Sequence, residues 1–213
     1  MIFFVNDVKK TINNDDVTIV AATKYFQPDE MRQLYDEGIH DFGENRDDAF
    51  LMKHEALKDL AITWHFIGTL QTKKVKKVID LVDCLHSLDN IKLANEINKR
   101  RSKPLRCFVQ VNISDEDSKH GLAPDAVIPF LKDVATLPNI DVIGFMGMAS
   151  FTDDMAQISR EFQILNDLQQ QVRSELNLDL NELSIGMSND YPVALKHHAT
   201  VLRLGSVLFR KEV

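Results

Sequence analysis

Four sites in this chain carry residue types that could do chemistry together: a lysine, an arginine and two glycine–serine elements. Lys24 ends the segment Ala21-Ala22-Thr23-Lys24-Tyr25, directly after an apolar run. Burial at such a place would disfavour the ammonium form, lower the pKa and free a neutral amine. A neutral amine is what Schiff-base formation with an aldehyde requires. A lysine whose stem lies on apolar surface while its charge reaches water would look the same in sequence, so position alone leaves both readings open. Gly186-Met187-Ser188-Asn189-Asp190 follows one late apolar run, and Arg203-Leu204-Gly205-Ser206 closes the next. Backbone amides at glycines, together with serine hydroxyls, form anion cradles. Ordinary turns use the same residues, but two such elements in consecutive units, with Arg203 at a strand end, favour an anion site. Asn45 closes Phe42-Gly43-Glu44-Asn45, and His65 sits within Trp64-His65-Phe66-Ile67-Gly68. A histidine between two aromatics is either a ligand contact or a hydrogen-bonded core residue.

The elements that must position these residues alternate along the whole chain. Eight apolar, β-branched runs read as strands: 17–23, 39–42, 62–67, 82–86, 105–112, 142–148, 182–185 and 200–205. Several are continuous rather than alternating, as parallel strands covered on both faces tend to be. Between them lie helical patterns. Pro28, followed by Asp29 and Glu30, opens one helix, and Gly38 lies past its end. Asp89 is placed to cap 90–100, Pro124 opens the segment through Val134, and 156–176 is the longest helix. Eight β/α units in this length predict a single α/β domain over residues 1–213, a TIM-type (β/α)8 barrel with parallel strands. An open doubly wound sheet has the same periodicity. In a barrel the strands' C-terminal ends carry the active site, and phosphate sites after the last two strands are frequent.

Composition narrows the function classes. The 213 residues include 25 basic and 32 acidic side chains, a net charge of −7. This argues against a general nucleic-acid or membrane-surface binder. The local exception, Lys73, Lys74, Lys76 and Lys77, reads as a solvated helix face. Cys84 and Cys107 lie in apolar runs and read as buried thiols. The start has no signal-peptide pattern and no run approaches the length of a membrane span, so a cytoplasmic location is expected. Motifs for a P-loop, a zincin, a nucleophile elbow or a dinucleotide fold are absent. The seven histidines are scattered, so no metal site is expected.

In their order and spacing, these motifs resemble the YggS/PROSC family of pyridoxal 5′-phosphate (PLP) homeostasis proteins. The landmarks are 21–24, 42–45, 64–68, Val111-Asn112 with Lys119-His120-Gly121-Leu122, 144–148, 183–190 and 203–206. The resemblance implies a barrel related to the N-terminal domain of alanine racemase, with PLP as the cofactor, held as a Schiff base on Lys24. It implies Ser188, Gly205 and Ser206 at the phosphate, Arg203 facing the pyridine nitrogen, and Asn45 and His65 lining the pocket near the ring. A cation at the ring nitrogen would make PLP a weaker electron sink.

The implied function is intracellular PLP homeostasis without substantial catalysis, with PLP-dependent apoenzymes as partners and a monomeric state. The alternative is a PLP-dependent amino-acid racemase. Racemisation needs an acid/base group on each face of the intermediate; Lys24 could serve one, and only Tyr25 and Tyr191 offer themselves for the other. The chain departs from the family pattern at a short N-terminal helical segment, at 46–48, and at His198 and Arg210, where glycine is usual. The first puts the covering of one barrel face in doubt, and the last two bear on the turns flanking the final strand.

Overall fold

The computed structural model describes residues 2–114 and 120–210. In chain order the elements are β1 (Ile2–Phe3), α1 (Val5–Ile12), β2 (Thr18–Ala22), α2 (Pro28–Asp36), β3 (Asp41–Glu44), α3 (Asp47–Ala56), β4 (Thr63–Phe66), α4 (Val75–Val78), β5 (Cys84–Leu88), α5 (Ile91–Arg100), β6 (Leu105–Gln110), α6 (Val127–Val134), β7 (Ile140–Met146), α7 (Met155–Leu176), β8 (Glu182–Ser184), α8 (Tyr191–Lys196), β9 (Val201–Leu204) and β10 (Phe209–Arg210). Strands β2 to β9 are parallel and close into a barrel in sequence order. Closure is made by β2 on β9, with Thr18 opposite Val201 and Ala21 opposite Leu204. The closed ring excludes the open-sheet alternative, and all eight expected strands are present.

Period-2 alternation divides the barrel walls. Ile19, Ala21, Phe42, Trp64, Phe66, Leu85, Val109 and Phe145 face outward into the core shared with the helices. Val20, Cys84, Phe108, Met146 and Val201 form a separate, smaller cluster that fills the interior, with Ile67, Ile143 and Met148 against it. Helix α2 starts at Pro28 as expected, and the Gln27 amide donates to Glu30 Oε2 at 2.7 Å. Helix α5 is capped by Asn90 rather than Asp89: Asn90 Oδ1 accepts from the Leu93 amide at 2.8 Å, while Asp89 Oδ1 accepts from the Asn90 side chain. The lysine run is not a purely solvated face. Lys74 and Lys77 reach the buried Asp47 at the start of α3, at 2.5 and 3.3 Å.

The short N-terminal helix α1 buries Val5, Val8 and Ile12. Next to it β1 and β10 form an antiparallel pair, with Phe3 opposite Phe209. Arg210 lies on this pair, its guanidinium 5.7 Å from the Phe4 ring centre. His198, in the turn before β9, has φ +61°, the left-handed conformation that favours glycine. No helix among the described residues is long and apolar enough to cross a membrane.

Candidate functional site

Because the eight strands are parallel, residues just past their last positions share one end of the barrel. That end receives Lys24 after β2, Asn45 after β3, Ser188 after β8, and Gly205 and Ser206 after β9. The chain places Lys24 and Tyr25 in a tight turn, and of the two readings its position left open Lys24 takes the exposed one. Its ammonium lies 4.8 Å from the centre of the Tyr25 ring. Beside the turn is an open depression of about 470 Å³ bordered by Lys24, Tyr25, Asn45, Arg46 and Met52. Tyr25 is 68% exposed and Tyr191 is buried at the start of α8.

What is buried lies directly beneath the turn. Lys53, on α3, donates to Glu44 Oε1 at 2.5 Å and to the Thr23 carbonyl at 2.6 Å. The Thr23 hydroxyl donates to the same Glu44 oxygen at 2.6 Å, and the Thr23 carbonyl also accepts from the Phe26 amide at 2.9 Å. The Lys53 and Glu44 side chains are 3% and 0% exposed. The residue before Lys24 is thus fixed through its hydroxyl, its carbonyl and its amide, which donates to Gly43 at 3.0 Å. Sequence reasoning did not single out Lys53. Its one signal was a lysine on a helix whose neighbouring position, Phe50, is core.

On the neighbouring strands of the mouth, β9 beside β2 and then β8, the Ser188 hydroxyl oxygen accepts from the amides of Gly205 (3.1 Å) and Val207 (3.3 Å). Two N–H groups therefore converge where an oxygen sits, which is the geometry of an anion cradle. Gly186 opens the loop carrying Ser188 at φ +92°, and a Cβ there would meet Ala194 Cβ at 2.7 Å. Ser206 is exposed at the start of a 3₁₀ turn. Arg203, on β9, is 5% exposed. Its Nη1 donates to the Ser184 carbonyl and hydroxyl at 2.6 and 2.7 Å, and its Nη2 to the Gly147 carbonyl at 3.0 Å. Burial among these neutral acceptors pulls its pKa down to about 10.

His65 points into the barrel. Its Nδ1 is 2.8 Å from His86 Nε2, and its Nε2 is 3.0 Å from Asp41 Oδ1. His86 is fully buried, and burial first, then His65 and the Arg203 charge, push its imidazole well below the ordinary value. Cys84 lies beside the pair, with possible ligand atoms of all three residues within 4.8 Å. The 2.8 Å nitrogen separation is a hydrogen bond; two nitrogens on tetrahedral zinc at ~2.05 Å would stand about 3.3 Å apart. No local pattern signals that two of the scattered histidines meet across adjacent strands. Asn45 sits at the mouth with Oδ1 buried and without a hydrogen-bond partner. Its backbone packs so closely on Gly68 that a Cβ there would lie 2.4 Å from Asn45 O. Of the 119–122 motif, Lys119 lies outside the described residues.

Comparison with known proteins gives this arrangement its relatives. Residues 8–212 match the family described as alanine racemase, N-terminal domain. A pyridoxal phosphate homeostasis protein of Aquifex aeolicus is 38% identical over 194 residues, covering 90% of this chain and 85% of its own length. The human protein of that name is 36% identical over 206 residues, covering 90% of this chain and 75% of its own. The chain belongs to the pyridoxal phosphate homeostasis family. The resemblance read from the motifs is thereby confirmed. Within solved structures, PipY of Synechococcus elongatus without PLP superposes with a TM-score of 0.90 at 27% identity, over 97% of this chain and 99% of PipY. PipY with PLP bound gives 0.84 at 28%, over 97% and 100%. An alanine racemase of Clostridium difficile, at 13% identity and a TM-score of 0.77, shares the fold; this chain covers 56% of it.

The pyridoxal phosphate homeostasis fold here supplies what a phosphorylated pyridine aldehyde would need. Lys24 offers an amine in an accessible turn, Gly205 and Val207 have N–H donors that converge on the Ser188 hydroxyl oxygen, and Arg203 offers a buried cation. The buried, unpartnered Asn45 Oδ1 is an orphan acceptor of the kind that a bound group satisfies. These residues fit that group.

Proposed function

We propose that this chain, acting over residues 1–213 as one domain, holds PLP through a Schiff base on Lys24 and serves its homeostasis rather than substrate turnover. The observation that carries the reading is the pairing, at one barrel end, of an accessible lysine with a convergent two-amide cradle and a buried arginine. When bound, PLP supplies an electrophilic aldehyde and an electron-withdrawing ring. Ser188, Gly205 and Ser206 would bind the phosphate, with the Val207 amide as a further donor. Arg203 would face the ring nitrogen as a cation and oppose its protonation, which limits carbanion chemistry. Asn45 would meet the ring edge, and His65 would act from within the barrel.

Two further points favour a carrier. The relatives that match over most of their length carry the homeostasis name. The tyrosines available as a second acid/base group are set apart, one exposed and one buried. Hand-over to PLP-dependent apoenzymes, a monomeric state and a cytoplasmic location complete the proposal. The open rim around Lys24 leaves room for hand-over.

The test is an absorbance spectrum of the purified protein with and without PLP, followed by borohydride reduction and peptide mapping. A visible band near ~400 nm and a phosphopyridoxyl adduct on Lys24 are expected. An adduct elsewhere, or none at excess PLP, refutes the assignment. Alanine racemisation at about 1 s⁻¹ or faster, lost in Lys24→Ala, would replace the carrier by an enzyme.

A further inference from the structure

Five polar residues on the inner barrel wall lie in one unbroken hydrogen-bonded row. It runs from Arg203 on β9 through Ser184 on β8, His86 on β5 and His65 on β4 to Asp41 at the start of β3. The successive separations are 2.7, 2.8, 2.8 and 3.0 Å. The two ends flank β2, where Val20 stands opposite both Arg203 on β9 and Asp41 on β3. Arg203 lies toward the mouth. Asp41 borders a groove at the strands' N-terminal ends, lined also by Lys9, Asp15, Thr18 and His40.

With both imidazoles neutral, the donor and acceptor inventory fixes the direction of every bond. A guanidinium only donates, so Arg203 gives a hydrogen to Ser184 Oγ. The single hydroxyl hydrogen of Ser184 then goes to His86 Nδ1, which must be unprotonated. His86 therefore carries its hydrogen on Nε2 and donates to His65 Nδ1. His65 likewise carries its hydrogen on Nε2 and donates to Asp41. A carboxylate only accepts, so reading from the other end gives the same direction. A protonated His65 would reverse the two inner bonds. It would leave the hydroxyl hydrogen of Ser184, a fully buried residue, with no acceptor among the described residues.

We propose that Ser184, His86, His65 and Asp41 are positioning residues for Arg203: a one-way hydrogen-bonded chain with both histidines neutral as Nε2–H tautomers, which fixes the guanidinium in place and links it to a carboxylate on the far side of β2. The acceptors in direct contact with Arg203 are neutral; the buried Asp190 acts on its charge, and the row adds a second carboxylate, since a buried charge needs compensation. Bonds in such a row polarise one another, so Asp41 stabilises the charge through its intermediates. The depressed basicity of His86, caused mainly by burial, agrees with a neutral ring in the middle. That the held guanidinium serves a bound cofactor rests on the proposed function; the chain itself does not.

Long-range ¹H–¹⁵N correlation spectra of the protein without added cofactor test the chain directly. Both imidazoles should show the Nε2–H tautomer at neutral pH. A protonated His65, or an Nδ1–H tautomer at His86, would overturn the proposal. The link to Arg203 is tested by the rate at which bound PLP dissociates. Ser184→Ala should speed release about tenfold, the usual consequence of losing one hydrogen bond to a charged group. Ser184→Thr, which keeps the hydroxyl, should release at close to the parent rate. Asp41→Asn should speed release about threefold in the parent and leave the Ser184→Ala variant unchanged, since the row is already cut. An equal Asp41→Asn effect in both backgrounds would overturn the coupling. A parent protein that takes up no PLP would refute the proposed function while the tautomer spectra still decide the chain.

Discussion

Two neighbouring sectors of the barrel mouth, joined where β2 pairs with β9, treat their cations in opposite ways. On the β2–β3 side, Lys24 stands exposed in a turn, and the burial is assigned to Lys53, paired with Glu44 below it. On the β8–β9 side, Arg203, the cation proposed to face the ring, is itself buried and surrounded by neutral acceptors. The contrast suits the two tasks. A covalent attachment point must meet an incoming aldehyde, so access matters and its support can be a separate residue. A group that faces a ring must keep its orientation, so the protein encloses it. On the proposed reading, the buried lysine is the scaffold and the accessible one carries the chemistry.

The sharpest test of this division is to remove each lysine in turn. Lys53→Met leaves Glu44 charged and uncompensated in the interior, so the protein should lose about 3–5 kcal/mol in urea titrations. Lys24→Ala should stay within about 0.5 kcal/mol of the parent while losing all reducible PLP adduct. Equal destabilisation by both substitutions would erase the distinction.

The buried side should also show in the pH dependence of folding. An exposed histidine in the unfolded chain takes a proton near pH 6.5, whereas His86 resists it in the folded protein. The unfolded state then binds more protons below that pH, so stability should fall as pH drops through this window. The slope should approach 1.4 kcal/mol, roughly, per pH unit for this one group. His86→Gln should flatten that slope in denaturant titrations at successive pH values.

At the cradle, Ser188→Ala removes the oxygen that gathers the Gly205 and Val207 amides. PLP should bind up to about tenfold more weakly with little change in the adduct site. The smallest effect is expected at His198, in the turn that leads into β9. Its φ of +61° is costly for a side chain, and His198→Gly should stabilise the fold by about 0.5–1 kcal/mol, read as a rise in Tm.

Much of this architecture was legible in the sequence. The eight β-branched runs located every barrel strand, and the glycine–serine elements marked the loop ends that meet at the mouth. Closure was not legible, because pairing of β2 with β9 joins residues about 180 positions apart and no local period reports it. Within the site, the end of each strand was visible but exposure was not. Lys24 follows an apolar run, yet the chain turns outward immediately after Thr23. The interior row was missed for a related reason. Asp41, His65, His86 and Ser184 each look unremarkable within their own strands, and only the barrel brings them into line. The cap at Asn90 rather than Asp89 is a one-residue shift of the kind that local patterns do not resolve. The ion pairs of Lys74 and Lys77 with Asp47 needed the packing of α3 against α4.

The two thiols set the chemical selectivity that a carrier of a free aldehyde requires. Aldehydes add to thiolates as well as to amines, and a sulfur nucleophile near the mouth would compete for the cargo. Burial raises the Cys84 thiol to about 12 and the Cys107 thiol well above its ordinary range, so both stay protonated and out of reach. A cysteine installed in place of Tyr25 would therefore be the one accessible thiol: an attachment point for a dye reporting cargo arriving at and leaving Lys24.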